Sequence, residues 1–282
     1  MTEPAGTGGS GPARAGTVLP GPLCLAEAAA ALRSSGIPEP RREALRIWRD
    51  LADRPESDFV AAVERRADGE PLAYVTGQAG FRHLVLRADR RALIPRPETE
   101  QLAELALRVA PEGRAADIGT GTGCIALSLA TEGRYHEVIA VDRSAAALSV
   151  ARDNRARVGA RRVHLVRGDL TAPLARGSLD LLVANPPYLT DGEWRRLDAS
   201  VAKWEPSEAL ASGPDGLRDT RRLLEDGRRV VRPGGWLALE LDCRRAAQVA
   251  ELATALGWSG VQVTMDLFGR ERFLLARRSD EP

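Results

Sequence analysis

Asn185-Pro186-Pro187-Tyr188 follows the apolar run Leu179–Ala184, and its residue types suit chemistry on a planar NH2 group. Asn185 carries an amide with both donor and acceptor capacity. Two consecutive prolines fix φ and remove two N–H donors, so nearby carbonyls stay free to accept. An NH2 conjugated to a carbonyl or ring is a poor nucleophile, because its lone pair is delocalised. The Asn185 side-chain oxygen and the Pro186 carbonyl can bind its two hydrogens, favour pyramidalisation and aim the lone pair at an electrophile. They also stabilise the positive charge that develops on the nitrogen. Tyr188 can cover the planar group and exclude water. No strong general base is required, since the alkylated nitrogen loses its proton readily. Taken alone, the tetrapeptide could equally be a plain turn after a strand.

A second set of residues could hold a cofactor. Asp117-Ile118-Gly119-Thr120-Gly121-Thr122-Gly123 lies between a strand-like and a helix-like segment. Glycines there permit positive φ and let a ligand approach the backbone. Gly121, Gly123 and Ala126 also satisfy the G-x-G-x-x-A dinucleotide fingerprint, so the loop admits NAD as well as S-adenosylmethionine. Asp142, nineteen residues after Gly123, can accept both ribose hydroxyls of either cofactor. It could instead cap the helix from Ala145, a role that Ser144 can fill. Asp169 closes the third strand, where it can hold an adenine amino group or cap a helix. The tetrapeptide breaks the tie. In an open α/β sheet it falls at the carboxyl edge beside the glycine loop, and a dehydrogenase has no use for it. The residues therefore read as an S-adenosylmethionine-dependent methyltransferase acting on an amide or amino nitrogen.

The elements that must position these groups can be read from patterning. Strand candidates are Ala115–Ile118, Glu137–Asp142, Val163–Gly168, Leu179–Ala184, Trp236–Leu241, Val261–Met265 and Arg272–Ala276. The stretches between the first five are long enough for crossover helices, which predicts a doubly wound, mostly parallel seven-stranded sheet. Only Asp266–Glu271 separates the last two strands, too short for a parallel crossover, so the last strand is antiparallel. Upstream, Leu23–Ser35 and Arg41–Asp53 show helical spacing, Pro40 opens the second of these, and Ser57 can cap a third helix. These make a small all-helical N-terminal domain. Phe81–Leu86 and Ala92–Ile94 suggest a hairpin around Asp89-Arg90, and Pro97 can begin a helix carrying Leu102, Leu105 and Val109. The division expected is a disordered tail over residues 1–20, a helical domain over 21–79, a hairpin linker over 80–95 and the catalytic domain over 96–282.

Bulk properties exclude several classes. The 282 residues carry a formal charge of +1, with 40 Lys+Arg against 39 Asp+Glu. Nothing in that balance demands nucleic acid or an anionic membrane. Cys24, Cys124 and Cys243 form no close pair, and His83, His136 and His164 are scattered, which predicts neither disulfides nor a metal site. No apolar run approaches the roughly 20 residues needed to span a bilayer. A cytoplasmic monomer is expected.

Beyond these residues the chain resembles a family. Asp117–Gly123, Asp142 and Asn185–Tyr188 are similar to class I S-adenosylmethionine methyltransferases of the amino-nitrogen type. Three further segments narrow the likeness: Arg65-Arg66 through Gly69-Glu70-Pro71-Leu72-Ala73-Tyr74 to Gly77, then Leu93-Ile94-Pro95-Arg96-Pro97-Glu98-Thr99-Glu100, then Glu205-Pro206 through Gly213-Pro214-Asp215-Gly216-Leu217. Together, from about Leu23 to Arg278, they resemble the peptide chain release factor glutamine methyltransferases, the HemK/PrmC family. The resemblance implies a Rossmann-like methyltransferase sheet and methylation of the glutamine side-chain nitrogen in the Gly-Gly-Gln motif of release factors. It implies cofactor contacts from Asp117, Gly119, Thr120, Gly121, Thr122, Gly123, Asp142, Asp169, Asn185 and Leu170, the last packing on adenine. Asn185, Pro186, Pro187 and Tyr188 would hold the glutamine amide, with Asn185, Pro186 and Tyr188 catalytic. The helical domain would dock the substrate protein. For Arg96 and Glu98, local ion pairing and a place in the cleft are both open. The segment Glu240-Leu241-Asp242-Cys243-Arg244 departs from the family, which carries Gly-Tyr there, and could alter a rim of the cleft. A ribosomal-protein glutamine methyltransferase shares the tetrapeptide but has Ser where Pro97 stands. A nucleic-acid amino-methyltransferase would need a basic recognition region that is not evident.

Overall fold

The computed structural model describes residues 22–197 and 203–279, so the tail expected over residues 1–20 lies outside the described residues. The chain divides into two units between Thr76 and Gly77. The first contains α1 (Pro22–Ser34), α2 (Pro40–Asp50), α3 (Glu56–Ala67) and α4 (Leu72–Thr76). Leu32, Ile47, Phe59 and Val63 form its core, and Trp48 meets Phe59 edge-on at 5.2 Å. Pro40 occupies the first turn of α2, where its missing N–H costs nothing. Ser57 does not cap α3: the helix begins one residue earlier, with Pro55 at the cap position and no side-chain cap. Helix α4 was not apparent in the sequence, because five residues are too few to show a helical period. The Arg66–Glu43 ion pair ties α3 to α2, and Arg65 reaches Glu70 just before α4.

The second unit opens with a hairpin of β1 (Gln78–Phe81) and β2 (Leu84–Arg87). Its turn is Arg82-His83, closed by the Phe81–Leu84 pair. This corrects the expected hairpin around Asp89-Arg90. Arg82 holds a left-handed φ of 52°, where a glycine or asparagine would have announced the turn, and Glu132 anchors its guanidinium at 2.7 Å. Asp89 instead turns the chain through bonds to Arg91, and Ala92–Ile94 is not a strand.

Helix α5 (Pro97–Val109) then leads into β3 (Glu112–Ile118), α6 (Cys124–Glu132), β4 (Arg134–Asp142), α7 (Ala145–Val158), β5 (Val163–Arg167) and β6 (Leu179–Ala184). After these come α8 (Asp191–Trp194), α9 (Arg218–Val230), β7 (Val231–Glu240), α10 (Ala246–Ala255), β8 (Trp258–Met265) and β9 (Glu271–Arg278). The sheet is seven-stranded in the order β5-β4-β3-β6-β7-β9-β8. β3 to β7 pair parallel, while β9 lies antiparallel between β7 and β8. Alternate residues feed opposite faces. Leu181 and Val183 pack with Leu102, Leu127 and Leu129 of α5 and α6, and Leu182 and Ala184 pack with Leu223, Leu224 and Val249 of α9 and α10. Both faces are covered, which explains why the parallel strands read as continuous apolar runs. Among the described residues, no helix is long and apolar enough to cross a membrane.

Candidate active site

Strand register brings the chemistry-bearing residues together. Val141, Ile118, Ala184 and Leu239 stand side by side across β4, β3, β6 and β7. The residue after each is Asp142, Gly119, Asn185 and Glu240. These four therefore line one carboxyl edge, at the point where strand order reverses and open α/β sheets bind ligands. A cavity there is lined by Gly119, Gly121, Asp142, Leu170, Asn185 and Pro187, among others.

Backbone geometry explains the glycines. Gly119, Gly121 and Gly123 have φ of 73°, 56° and 84°, a region that other residues rarely adopt. A Cβ on Gly119 would meet nothing within 4 Å, so it would stand in the cavity that a ligand could fill. Gly123 is different: its Cβ would press on Leu127 and Ala151 at 3.3 and 3.4 Å, which makes it a packing glycine. Asp117, Thr120, Thr122 and Gly123 are not part of the cavity lining. Asp117 ties the loop to α6 by accepting from the Thr120 hydroxyl at 2.6 Å and the Ala126 N–H at 3.1 Å. Its other oxygen is buried with no hydrogen-bond partner among the described residues. Burial pushes its carboxyl up to about 7, against the two hydrogen bonds that favour the charge.

Asp142 accepts from the Gly121 N–H at 2.9 Å and the Ser144 N–H at 2.8 Å. Ser144, not Asp142, caps α7, by accepting from the Ala147 N–H. Each Asp142 oxygen keeps a lone pair for a further donor. Burial raises its carboxyl, opposed by the Ser144 and Gly121 amides. Asp169 stands at the exposed rim and pairs with Arg222 at 2.7 Å, which holds its carboxyl below the usual range. Leu170 beside it takes a left-handed φ of 47°. With bare glycine backbone, a carboxylate at the second strand end and an apolar side chain at the third, the pocket fits an adenosine-bearing ligand.

Asn185 donates from Nδ2 to Thr99 Oγ1 at 3.0 Å, and Thr99 donates to Glu240 Oε2 at 2.7 Å. Pro187 joins Asn185 in the cavity wall; Pro186 is buried behind it, and Tyr188 is half-buried outside the lining. Burial pushes the Tyr188 phenol up to about 12, with the Glu240 carboxylate adding to it. The segment after the tetrapeptide is fixed from behind. Tyr188 and Leu189 N–H both donate to the Leu210 carbonyl, and Ser212 N–H donates to that of Leu189. A Cβ on Gly216 would overlap the Tyr188 carbonyl oxygen, which explains the glycine there.

Arg96 pairs with buried Glu205 and Glu98 with Arg270, so both make ion pairs at the head of α5. The atypical Asp242 accepts from Arg244 and Arg245, which also grip Glu193 of α8. Sequence reasoning missed Thr99 and Glu240 as site residues, and the walls supplied by Leu93, Pro206 and Glu208. An acidic residue inside an otherwise apolar strand was the available signal for Glu240.

Comparison with known proteins shows the family and the fold. The Methyltransferase small domain model matches residues 99–202. A release factor glutamine methyltransferase of Moorella thermoacetica is 41% identical over 91% of this chain and 98% of its own. The chain belongs to the release factor glutamine methyltransferase family. Its relative from Nitratidesulfovibrio vulgaris is 43% identical over 78% of this chain and 77% of its own, and that of Escherichia coli is 36% identical over 80% and 82%. Among solved structures, the hMettl16 catalytic domain superposes with a TM-score of 0.56 at 17% identity, covering 80% of this chain and 81% of its own. A methyltransferase from Pyrococcus furiosus gives 0.52 at 22% identity, covering 69% and 88%. Both share the fold.

Proposed function

We propose that the protein methylates the side-chain amide nitrogen of the glutamine in the Gly-Gly-Gln motif of release factors, using S-adenosylmethionine. The observation that carries this reading is Asn185, at the edge of the cavity, whose NH2 is already engaged by Thr99 and whose oxygen is left for a substrate NH2. Family membership over most of the chain supports the protein substrate.

Gly119, Gly121, Asp142, Leu170 and Asn185 would hold the cofactor, with Asp142 accepting from the ribose and Leu170 against the adenine. Asp169 is committed to Arg222, so a bond to the adenine amino group needs its remaining lone pairs. The buried, unpartnered oxygen of Asp117 suits a cationic donor, the type of group the methionine moiety carries. Bound there, S-adenosylmethionine would supply an electrophilic methyl to the amide nitrogen, leaving its sulfur as a neutral thioether, and the methylated amide would release one proton. Asn185 Oδ1 and the Pro186 carbonyl accept the two amide hydrogens, orient the lone pair and stabilise the charge that grows on nitrogen. Tyr188 excludes water from the planar group. A glutamine side chain offers little surface, so selection among glutamines requires contacts remote from the reacting atom. The helical unit, which carries no catalytic motif, is assigned that role.

Tritiated methyl transfer to a release factor, a ribosomal protein and an oligonucleotide tests the reading. Label on the release factor alone is expected. Preferential label on either alternative would reassign the substrate.

A further inference from the structure

A primary amide has two orientations of nearly the same shape, with oxygen and nitrogen exchanged. Only one of them lets Asn185 serve a substrate NH2. With oxygen toward the cleft it accepts; with nitrogen toward the cleft it sets donor against donor. The choice is therefore a catalytic matter, and something must make it.

The residues behind Asn185 have the polarity to do so. An ionised carboxylate can only accept, so Glu240 takes the single proton of the Thr99 hydroxyl at 2.7 Å. The Thr99 oxygen is then an acceptor, and it lies 3.0 Å from Asn185 Nδ2. The exchanged orientation would put the Asn185 oxygen against a lone pair. Thr99 and Glu240 are 3% and 1% exposed, so solvent cannot supply the missing donor. Such chains also strengthen each member, which makes Asn185 Oδ1 a better acceptor as charge grows on the substrate.

We infer that Thr99 and Glu240 are positioning residues that lock the Asn185 amide with its oxygen toward the substrate, and that the charge on Glu240 sets the lock. The inference rests on the methyl-transfer reading for its consequence, but not for its geometry. Burial pushes the Glu240 carboxyl up to about 7, so its charge is sensitive to ordinary pH. The groups that face it are Arg272 from β9 and Arg96 before α5, which favour the charge, and Glu98 on α5, which opposes it. The Tyr188 phenol and Cys124 thiol also sense it. Protonated Glu240 can donate to Thr99, whose own proton is then free to turn toward Asn185 and accept the exchanged orientation.

Full-length Thr99→Val, Thr99→Ser and Glu240→Gln separate positioning from folding. Thr99→Val and Glu240→Gln should lower kcat for methyl transfer on the order of ten-fold or more, with calorimetric affinity for S-adenosylhomocysteine and KM little changed. Thr99→Ser, which keeps the hydroxyl, should recover most of kcat. Wild-type kcat should rise through pH about 7 as Glu240 ionises, and this acid limb should vanish in Glu240→Gln. A folded Thr99→Val with wild-type kcat, or an unchanged acid limb in Glu240→Gln, would overturn the inference. A second readout needs neither substrate nor variant: the Asn185 side-chain NH2 resonances of isotopically labelled wild type should shift with Glu240 ionisation. Resonances that ignore pH across that window would also overturn it. Wild-type protein that labels no release factor would contradict the substrate reading instead, while the resonance test of the lock still stands.

Discussion

At the scale of single residues, two carboxylates behave differently although both sit at strand ends. Asp142 lines the cavity with both oxygens already receiving a backbone N–H, which suits the ribose-accepting role we propose for it. Asp142→Ala should weaken S-adenosylhomocysteine binding roughly 10- to 100-fold, the value of charge-assisted bonds of ~1.5–3 kcal/mol; unchanged calorimetric affinity in the folded variant would contradict the assignment. Asp117 is buried behind the loop, with burial raising its carboxyl to about 7, above the unfolded value of about 3.9. The folded state then holds its proton more tightly than the unfolded state. Its contribution to stability is complete below the unfolded value and is lost as pH rises through about 7. Thermal unfolding of cofactor-free protein should therefore show stability falling between about pH 4 and about pH 7, with a shallower fall in Asp117→Asn. An equal slope in the two proteins would count against a buried, titrating Asp117. Residue type drew attention to Asp142 and Asn185, a carboxylate and an amide at strand ends. Thr99 gave no such notice, and Glu240 only the weaker one of an acidic residue in an otherwise apolar strand. They are 141 positions apart, and their pairing exists only once α5 has packed beside β7.

Elements show where patterning sufficed and where it did not. Apolar runs separated by crossover lengths revealed the parallel strands, because burial on both faces leaves that imprint. The antiparallel relation of the last two strands followed from a short connection, but the insertion of β9 between β7 and β8 is a pairing choice that periodicity does not encode. The β1–β2 turn was misplaced because Arg82 adopts a conformation that its side chain does not advertise. Residues 210–216 back the tetrapeptide, through hydrogen bonds from the Tyr188 and Leu189 N–H groups to the Leu210 carbonyl. Gly216 permits that approach with φ of 72°. Gly216→Ala should cost about 1–2 kcal/mol for the left-handed backbone alone and displace Tyr188. Transfer rate should fall more than cofactor affinity; an equal loss in both, or none, would show that this loop does not set the tetrapeptide.

For the whole molecule, the proposed function divides cofactor chemistry and substrate choice between the two units. Among the described residues, those lining the cavity all follow Gly77, and the helical unit has its own core around Leu32, Ile47 and Phe59. Removing residues 1–76 should leave S-adenosylhomocysteine binding measurable while sharply reducing turnover on an intact release factor, and equal turnover by the shortened and full-length proteins would refute the docking role. A short peptide containing Gly-Gly-Gln should be a poor substrate for both. Composition and helical spacing gave the expectation of a helical domain over 21–79, while α4 is too short to leave a pattern. The most direct measurement is mass spectrometry of a release factor after incubation with S-adenosylmethionine and either wild-type protein or Asn185→Ala. Wild type should add one methyl group to the glutamine of Gly-Gly-Gln, and Asn185→Ala should retain most of its cofactor affinity yet be slower by at least ~100-fold. An unmodified glutamine with wild type, or Asn185→Ala activity within a few-fold of it, would contradict the central assignment.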